Sequence, residues 1–444
     1  MNPKTWSWLV FVIVLLALSA IPAPTPAAAT APEYTEFTVN STADLNDFVI
    51  NSVCSGGSPT GGPCTLRAAI TEANYCDDAP GACGDYVIIH VPAGTYTLTL
   101  PGGGEDANTT GDLDISLTNL QITIEGAGAS QTIIDGNDID RVLHIQTNTD
   151  VQIRDLTIRG GYLEQVSSSE WKIGAGIYSG NGTLNLENVI LENNIVVCSV
   201  VPSTSCHQSR GGGLGGNGTI MINTSTIRNN SAYHGGGLFY NGSAELKIFA
   251  STISGNQAET AGAFLIYGPT YFANSTISGN SAGDVGGIVI SSDTTRLVNV
   301  TISGNETIST AANLRNSGTL LLRNTIIAYP KRTSGVASNC SNFSTVTSSG
   351  YNMSDDNSCG LAIVTGDFPN TDPKLTPLAW LSGATQTHGL LAQSPAHNAK
   401  AGFCTDFDGF TVSIDQRGQN RDAQCDIGAF EGVAYNTYMP VITR

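Results

Sequence analysis

The stretch EDANTTGDLDI, residues 105–115, sets Asp106, Asn108, Asp112 and Asp114 within nine residues around Gly111. Four oxygen-bearing side chains packed so closely suit a hard cation such as calcium, which takes carboxylate, amide and carbonyl oxygens. The competing reading is an Asx-rich turn. A second, sparser group follows in DGNDID, with Asp135, Asp138 and Asp140. Ions at either place would stiffen the chain rather than catalyse.

Two other stretches carry residues suited to binding a ligand, the competing reading being surface loops whose aromatics fold back on the coil. YLEQVSSSEWK (Tyr162 to Lys172) and VVCSVVPSTSCHQSR (Val196 to Arg210) contribute Tyr162, Trp171, His207 and Arg210, and Tyr233 and His234 follow. Aromatic faces stack on sugar rings, while imidazole and guanidinium groups bond hydroxyls. His388, Asp415, Arg417 and Glu431 make a tempting polar set near the carboxyl end, which reads better as a hydrogen-bonded structural network.

These residues must be positioned by something, and the chain repeats itself. Aligned on a central aliphatic residue, the anchors are Ile134, Ile158, Leu191, Ile227, Ile253, Ile277, Ile302 and Ile327, with gaps of 24, 33, 36, 26, 24, 25 and 25 residues. A period in the twenties rich in β-branched residues, Gly and Asn signals a solenoid. The expected coil has three short strands, stacked on its neighbours at about 4.8 Å. A second apolar column is predicted at Ile177, Leu214, Leu238, Phe264, Ile288 and Leu314. An asparagine ladder is predicted at Asn137, Asn194, Asn230, Asn256, Asn280 and Asn305. Most N-x-S/T strings therefore read as ladder and turn residues rather than glycan acceptors. Asp155 falls at a turn where Asp and Asn are interchangeable. The two long gaps are consecutive and at one phase, so their insertions should project side by side from one face.

The predicted fold is all-β: a right-handed parallel β-helix with an amino-terminal capping helix and a disulfide-containing carboxyl-terminal cap. The helix falls in CTLRAAITEANY, where Leu66, Ala69, Ile70 and Ala73 share a face. The expected division is 1–29 signal peptide, 30–84 linker and cap, 85–334 coils, 335–431 cap, and 432–444 tail. Lys4, the apolar run Trp6 to Ala20 and the small residues before a cut after Ala29 form an export signal, with an uncleaved anchor as the other reading. No later segment is long enough to span a bilayer.

Ten cysteines lie as close pairs: Cys54 with Cys64, Cys76 with Cys83, Cys198 with Cys206, Cys340 with Cys359 and Cys404 with Cys425. An even count beside an export signal favours loop-closing disulfides, neighbour pairing being the simplest of several connectivities. No C-x2-C string supports zinc. A net charge of −18 with no basic stripe argues against nucleic acid and anionic membrane surfaces as partners.

Two segments carry a family resemblance. CTLRAAITEAN resembles the CSLREA domain, with Thr65 and Ala68 in place of Ser and Glu, and GDLDI and IIDGNDIDRVLHI are similar to phrases that follow it. SPAHNAKAG, DQRG (Asp415 to Gly418) and CDIGAFE (Cys425 to Glu431) resemble the choice-of-anchor Q domain of bacterial surface proteins. The resemblance implies an exported bacterial β-helix of the pectin-lyase-like fold, secreted or displayed on the cell surface, and brings no activity with it. After Glu431 the tail GVAYNTYMPVITR lacks a sortase motif, charged tail or spanning helix, and its TYMPVITR end is similar to short Tyr-Φ-Pro-Φ sorting endings.

Parallel β-helices also host polysaccharide lyases and hydrolases, which need convergent carboxylates with a Lys or Arg base. Between Asp150 and Pro330 there are four Asp (150, 155, 284, 293) and two Lys (172, 247), with no N-T-D, D-D, G-H-G or R-I-K string. The expected function is therefore non-catalytic binding or scaffolding of extracellular polysaccharide or cell-envelope material. A secreted carbohydrate-active enzyme and a purely structural envelope protein are the alternatives.

Overall fold

A computed structural model describes residues 34–434 apart from 59–60, 79–82, 85, 201–204, 364–365 and 403. The expected signal peptide and nearly all of the tail lie outside the described residues. The chain winds into a parallel β-helix with four sheets, of 11, 10, 9 and 9 strands, whose ladders are parallel throughout. One coil shows the order: Leu246–Phe249 in sheet 1, Thr252–Ser254 in sheet 2, Gln257–Thr260 in sheet 3 and Phe264–Ile266 in sheet 4. Three strands per coil were expected. The fourth arises because the polar residues after the asparagine also pair with their equivalents above and below.

The anchors stack in register through sheet 2, from Ile134 to Ile327, and are at most 1% exposed. Ile177, Leu214, Leu238, Phe264, Ile288 and Leu314 form the facing column in sheet 4 and are fully buried. Each such side chain taken from water contributes about 1.5–3 kcal/mol, which no isolated coil can collect.

The asparagine ladder runs from Asn194 through Asn230, Asn256, Asn280 and Asn305. Each backbone N–H and side-chain Nδ2 donates to the next Oδ1 at 2.9–3.0 Å along the first four steps. Asn313 and Asn339 extend it. Asn137 is not a rung. It is exposed and itself takes the left-handed turn conformation, and its Nδ2 donates to Leu98 O at 3.3 Å rather than to a stacked asparagine. The residue before each rung is left-handed too: Asn193, Asn229, Gly255, Gly279 and Gly304, which is why only Asn and Gly stand there. At the neighbouring turn Asp155 and Asn188 share that conformation, and Asn188 Nδ2 donates 2.6 Å to Asp155 Oδ1.

Helix α1 (Leu66–Asp78) buries Leu66, Ala69, Ile70 and Ala73 against the first coils. Thr65 Oγ1 caps its first turn by accepting from Ala68 N at 3.2 Å. At the far end, strands Ser338–Asn342, Val346–Ser348 and Met353–Ser354 complete a last coil, so stacking continues past residue 334. Asp355, Asp356 and Ser358 bond the groups of Asn339 and Cys340 on that last edge.

All ten cysteines are bonded, each to its neighbour in sequence, so of the several connectivities the simplest is the one formed. Cys54–Cys64 ties the amino-terminal linker to the residue just ahead of the capping helix, and Cys76–Cys83 ties the helix's last turn to the loop that follows. Cys64 and Cys76 are buried in the main core, with Cys54 and Cys83 packed against it, so these two bridges also join the cap to the first coils. Cys198–Cys206 lies in the second insertion, Cys340–Cys359 holds the loop over the last coil, and Cys404–Cys425 crosslinks the carboxyl-terminal segment.

Residues 366–434 then fold back along the outer face of sheet 2. Gln416 Nε2 donates to Thr252 Oγ1 at 3.0 Å and its Oε1 accepts from Thr276 Oγ1 at 2.6 Å. His388 bonds Ser278 Oγ and Thr376 O, and burial pushes its pKa down. Asp415 holds Arg417 and the Glu431 N–H, while fully buried Arg421 joins Glu431 to Asn274. His388, Asp415, Arg417 and Glu431 thus serve a structural network that clamps the returning chain.

Candidate functional site

The site begins with α1. Arg67 is fully buried; its Nε lies 2.6 Å from Asp44 Oδ1, and Nη1 and Nη2 donate to the carbonyls of Asp112 and Gly111 at 2.8 Å. Asn74 adds a 2.8 Å bond to Asp114 O. The helix therefore fixes the GDLDI segment as the first strand of sheet 4, Leu113–Ile115.

Every strand of sheet 4 has three core positions, of which the middle one faces outward. In register these are Asp114, His144, Tyr178, Gly215, Phe239, Leu265, Val289, Arg315 and Ser341. From Asp114 to Val289 the row grades from acidic through aromatic to aliphatic, and it ends polar. Gly215 interrupts it: a Cβ there would meet Ile173 Cγ2 at 2.2 Å, so Ile173 from the first insertion settles into the gap. The result is a groove of about 360 Å³ lined by Arg141, His144, Trp171, Ile173, Tyr178, Asn217, Phe239 and Asn241. Phe239, Leu265 and Val289 extend its floor as a small apolar cluster.

The two insertions do lie side by side. Tyr162–Gln165 pairs with Ile195–Cys198, and Lys172–Ile173 with Ser209–Arg210. Cys198–Cys206 clips the second. Arg210 places its guanidinium 4.7 Å from the Trp171 ring and 4.8 Å from that of Phe239, two walls of the groove. Its Nε donates to His207 O, and the His207 and His234 rings stack at 5.8 Å with Tyr233 edge-on to His234. Burial, then Arg210 and His207, push His234 down to about 4, so it is neutral at pH 7. Five of the six expected ligand residues thus form one ridge. Tyr162 is half-buried, and no contact ties its side chain to the other five.

The expected calcium quartet does not converge. Asn108 is buried, donating from Nδ2 to Arg67 O and Thr71 Oγ1 and accepting from Asp114 N, so it is spent on holding the loop. Asp112 turns to Arg141 Nη1 at 2.9 Å. Burial outweighs that cation and, with Asp140 and Asp114 nearby, pushes Asp112 up to about 7. Asp106 and Asp114 instead meet His144, whose Nδ1 is 3.2 Å from Asp106 Oδ1 and 3.0 Å from Asp114 Oδ1. In the second acidic group, Asp135 pairs with Arg159, Asp138 is exposed in a left-handed turn, and Asp140 leans toward Gly103 and Gly111. The three do not gather.

Arg141, His144, Tyr178, Asn217, Phe239 and Asn241 were not expected from the sequence. For His144, Tyr178 and Phe239 the signal was the middle letter of LHI, IYS and LFY, read across coils; Arg141, Asn217 and Asn241 flank strands of sheet 4 and carried none. A second cleft of about 510 Å³ lies between the outer face of sheet 1 and residues 406–408. Its cations Lys247 and Arg296 are held by Glu245 at 3.9 and 3.0 Å.

No family model matches the chain, and no curated protein does. Among solved structures, the crystal structure of pectate lyase Pel9A matches over 90% of this chain and 98% of that one, at 15% identity and a TM-score of 0.36. No helix among the described residues is long and apolar enough to cross a membrane.

Proposed function

We propose that this chain is an exported, non-catalytic β-helix protein of the bacterial envelope or exterior, whose sheet 4 groove binds glycan. The observation that carries the reading is the meeting of Trp171, Tyr178 and Phe239 with Arg141, Asn217 and Asn241 in one groove. Aromatic faces take the apolar faces of sugar rings, and amide and guanidinium groups take hydroxyls or carboxylates. Trp171 is 57% exposed, a large apolar surface left in water at the rim. Five disulfides and the leading apolar run favour an oxidising, external location. The likeness of residues 64–74 and 415–431 to the CSLREA and choice-of-anchor Q domains supports the same assignment.

The test is affinity electrophoresis and tryptophan fluorescence against a panel of plant and bacterial polysaccharides, with wild type and Trp171→Ala. At least one glycan retards the wild type and shifts its emission, and the variant binds it at least about tenfold less tightly. No retardation by any glycan, or equal binding by Trp171→Ala, overturns the reading.

A second reading is favoured by one observation. Asp112, pushed up to about 7 by burial, pairs with Arg141, which lines the groove, and a carboxyl with that pKa is suited to proton transfer at neutral pH. Time-dependent release of reducing or unsaturated ends from the same panel, abolished in Asp112→Asn, would establish an enzyme in place of a binder.

A further inference from the structure

We propose that Asp106, Asp114 and His144 bind one divalent transition-metal ion at the acidic end of the groove. Two of the three are register partners on adjacent coils, Asp114 and His144, and the third comes from the loop before them. One ligand atom from each lies within 4.8 Å of the others, with Nδ1 of His144 3.0 and 3.2 Å from the two carboxylate oxygens. Zinc–nitrogen and zinc–oxygen bonds of about 2.0–2.2 Å at tetrahedral angles put neighbouring ligand atoms about 3.3–3.6 Å apart, so His144 and the two carboxylates need to part by only a few tenths of an ångström to take an ion between them.

The charges ask for a cation. Asp114 is fully buried, and among the described residues neither it nor Asp106 has a Lys or Arg within ion-pair distance. Arg141, which lines the same groove, is committed to Asp112, and Arg67 to Asp44. A buried carboxylate is stable when paired or coordinated. His144 Nδ1 carries at most one hydrogen and cannot give both carboxylates a full, linear hydrogen bond. A metal at the common focus satisfies all three groups at once.

The site is held from behind and open in front. Asn108 N donates to Asp114 Oδ2 at 3.1 Å, and Gln146 Nε2 fixes the Asp106 carbonyl at 2.7 Å. The Asp106 side chain is 71% exposed, which gives an ion its way in and leaves coordination positions for water. His144 also lines the groove, so an ion there can take a ligand hydroxyl. One imidazole with two carboxylates selects zinc, manganese or a similar ion over calcium, whose ligands are all oxygen. The inference needs the groove's geometry but not its proposed glycan.

The experiment uses the full chain stripped by chelator and dialysed, then titrated with zinc, manganese or calcium chloride in the calorimeter. Bound metal is counted by elemental analysis. The same is done on Asp106→Asn and His144→Gln, both of which alter side chains at or near the surface; circular dichroism confirms their fold. Wild type takes one equivalent of zinc or manganese more tightly than calcium, each variant loses at least about tenfold in affinity, and the His144 imidazole resonances shift on zinc addition. Failure to retain stoichiometric metal, tighter binding of calcium, or undiminished affinity in both variants overturns the proposal. None of these readouts involves sugar, so the glycan reading stands or falls separately.

Discussion

The Arg67 guanidinium donates 2.8 Å to the carbonyl oxygen of Asp112, across 45 residues of chain. This bond makes the capping helix a positioning element for the groove as well as a lid on the first coil. Arg67 also neutralises buried Asp44. Breaking a buried pair by removing one partner costs about 3–5 kcal/mol. Arg67→Met should therefore lower the unfolding midpoint in urea sharply and weaken ligand at the groove. A double variant with Asp44→Leu should recover part of the stability but not the binding.

Asn256 sits mid-ladder, where its Oδ1 takes two bonds from Asn230 and its Nδ2 reaches Ile227 O and Asn280 Oδ1. Asn256→Ala leaves buried donors and an acceptor unpaired, at a cost of at least about 2 kcal/mol. Hydrogen exchange should show lost protection in the coils on either side first.

Gly279 is left-handed at φ +67°, and its Cβ direction is open. Asn occupies the equivalent place at 193 and 229. Gly279→Asn should change stability by less than about 0.5 kcal/mol. Gly279→Val should destabilise by about 1–2 kcal/mol, because a branched side chain resists that backbone. Thermal melts of the two variants decide.

Two groups at the groove give opposite pH dependences. Asp112 is pushed up to about 7 from an ordinary 3.8, so the folded state holds its proton longer. Its contribution is present below 3.8 and is lost as pH rises through 7. His234 is pushed down from 6.5 to about 4, so stability is lost as pH falls through that window. Relative to wild type, Asp112→Asn should gain in melting temperature as pH is raised, and His234→Gln should gain as pH is lowered.

The Cys198–Cys206 bridge closes a loop with a sequence separation of 8 that leads to His207 and Arg210. Replacing both cysteines by serine should cost up to about 2.5 kcal/mol by loop-closure entropy. The larger effect should be on the groove: proteolysis within the insertion and weaker binding, while the melt of the coils stays cooperative.

The coil was legible because burial leaves a period. Ile253, Ile277 and Ile302 repeat at nearly constant spacing, and Asn256, Asn280 and Asn305 follow each by three residues. The insertions were legible as breaks in that period. The groove was not, because its residues belong to different coils and meet only through register. His144 and Tyr178 look unremarkable in LHI and IYS until the strands are laid one over another. Asp112 and Asn108 misled for a related reason: composition placed them with Asp106 and Asp114, but Arg141 and Arg67 O, remote in sequence, drew them elsewhere. The fourth strand was missed because QAET and its equivalents are short and mostly polar, with a single small or aliphatic residue turned inward, as at Leu163, Val196 and Ala232. The backward fold of residues 366–434 left no periodic trace at all.

That returning segment sets an order of events. A chain emerging amino end first can add one coil at a time, since each coil needs only the one before it. The outer threonines Thr252 and Thr276 nevertheless wait uncovered until Gln386 and Thr387 arrive, 134 and 111 residues later, and Gln416 joins them after that. The middle coils are the early-built portion completed last. A chain cut before Thr385 would keep the stacked coils but leave the outer face of sheet 2 unclasped.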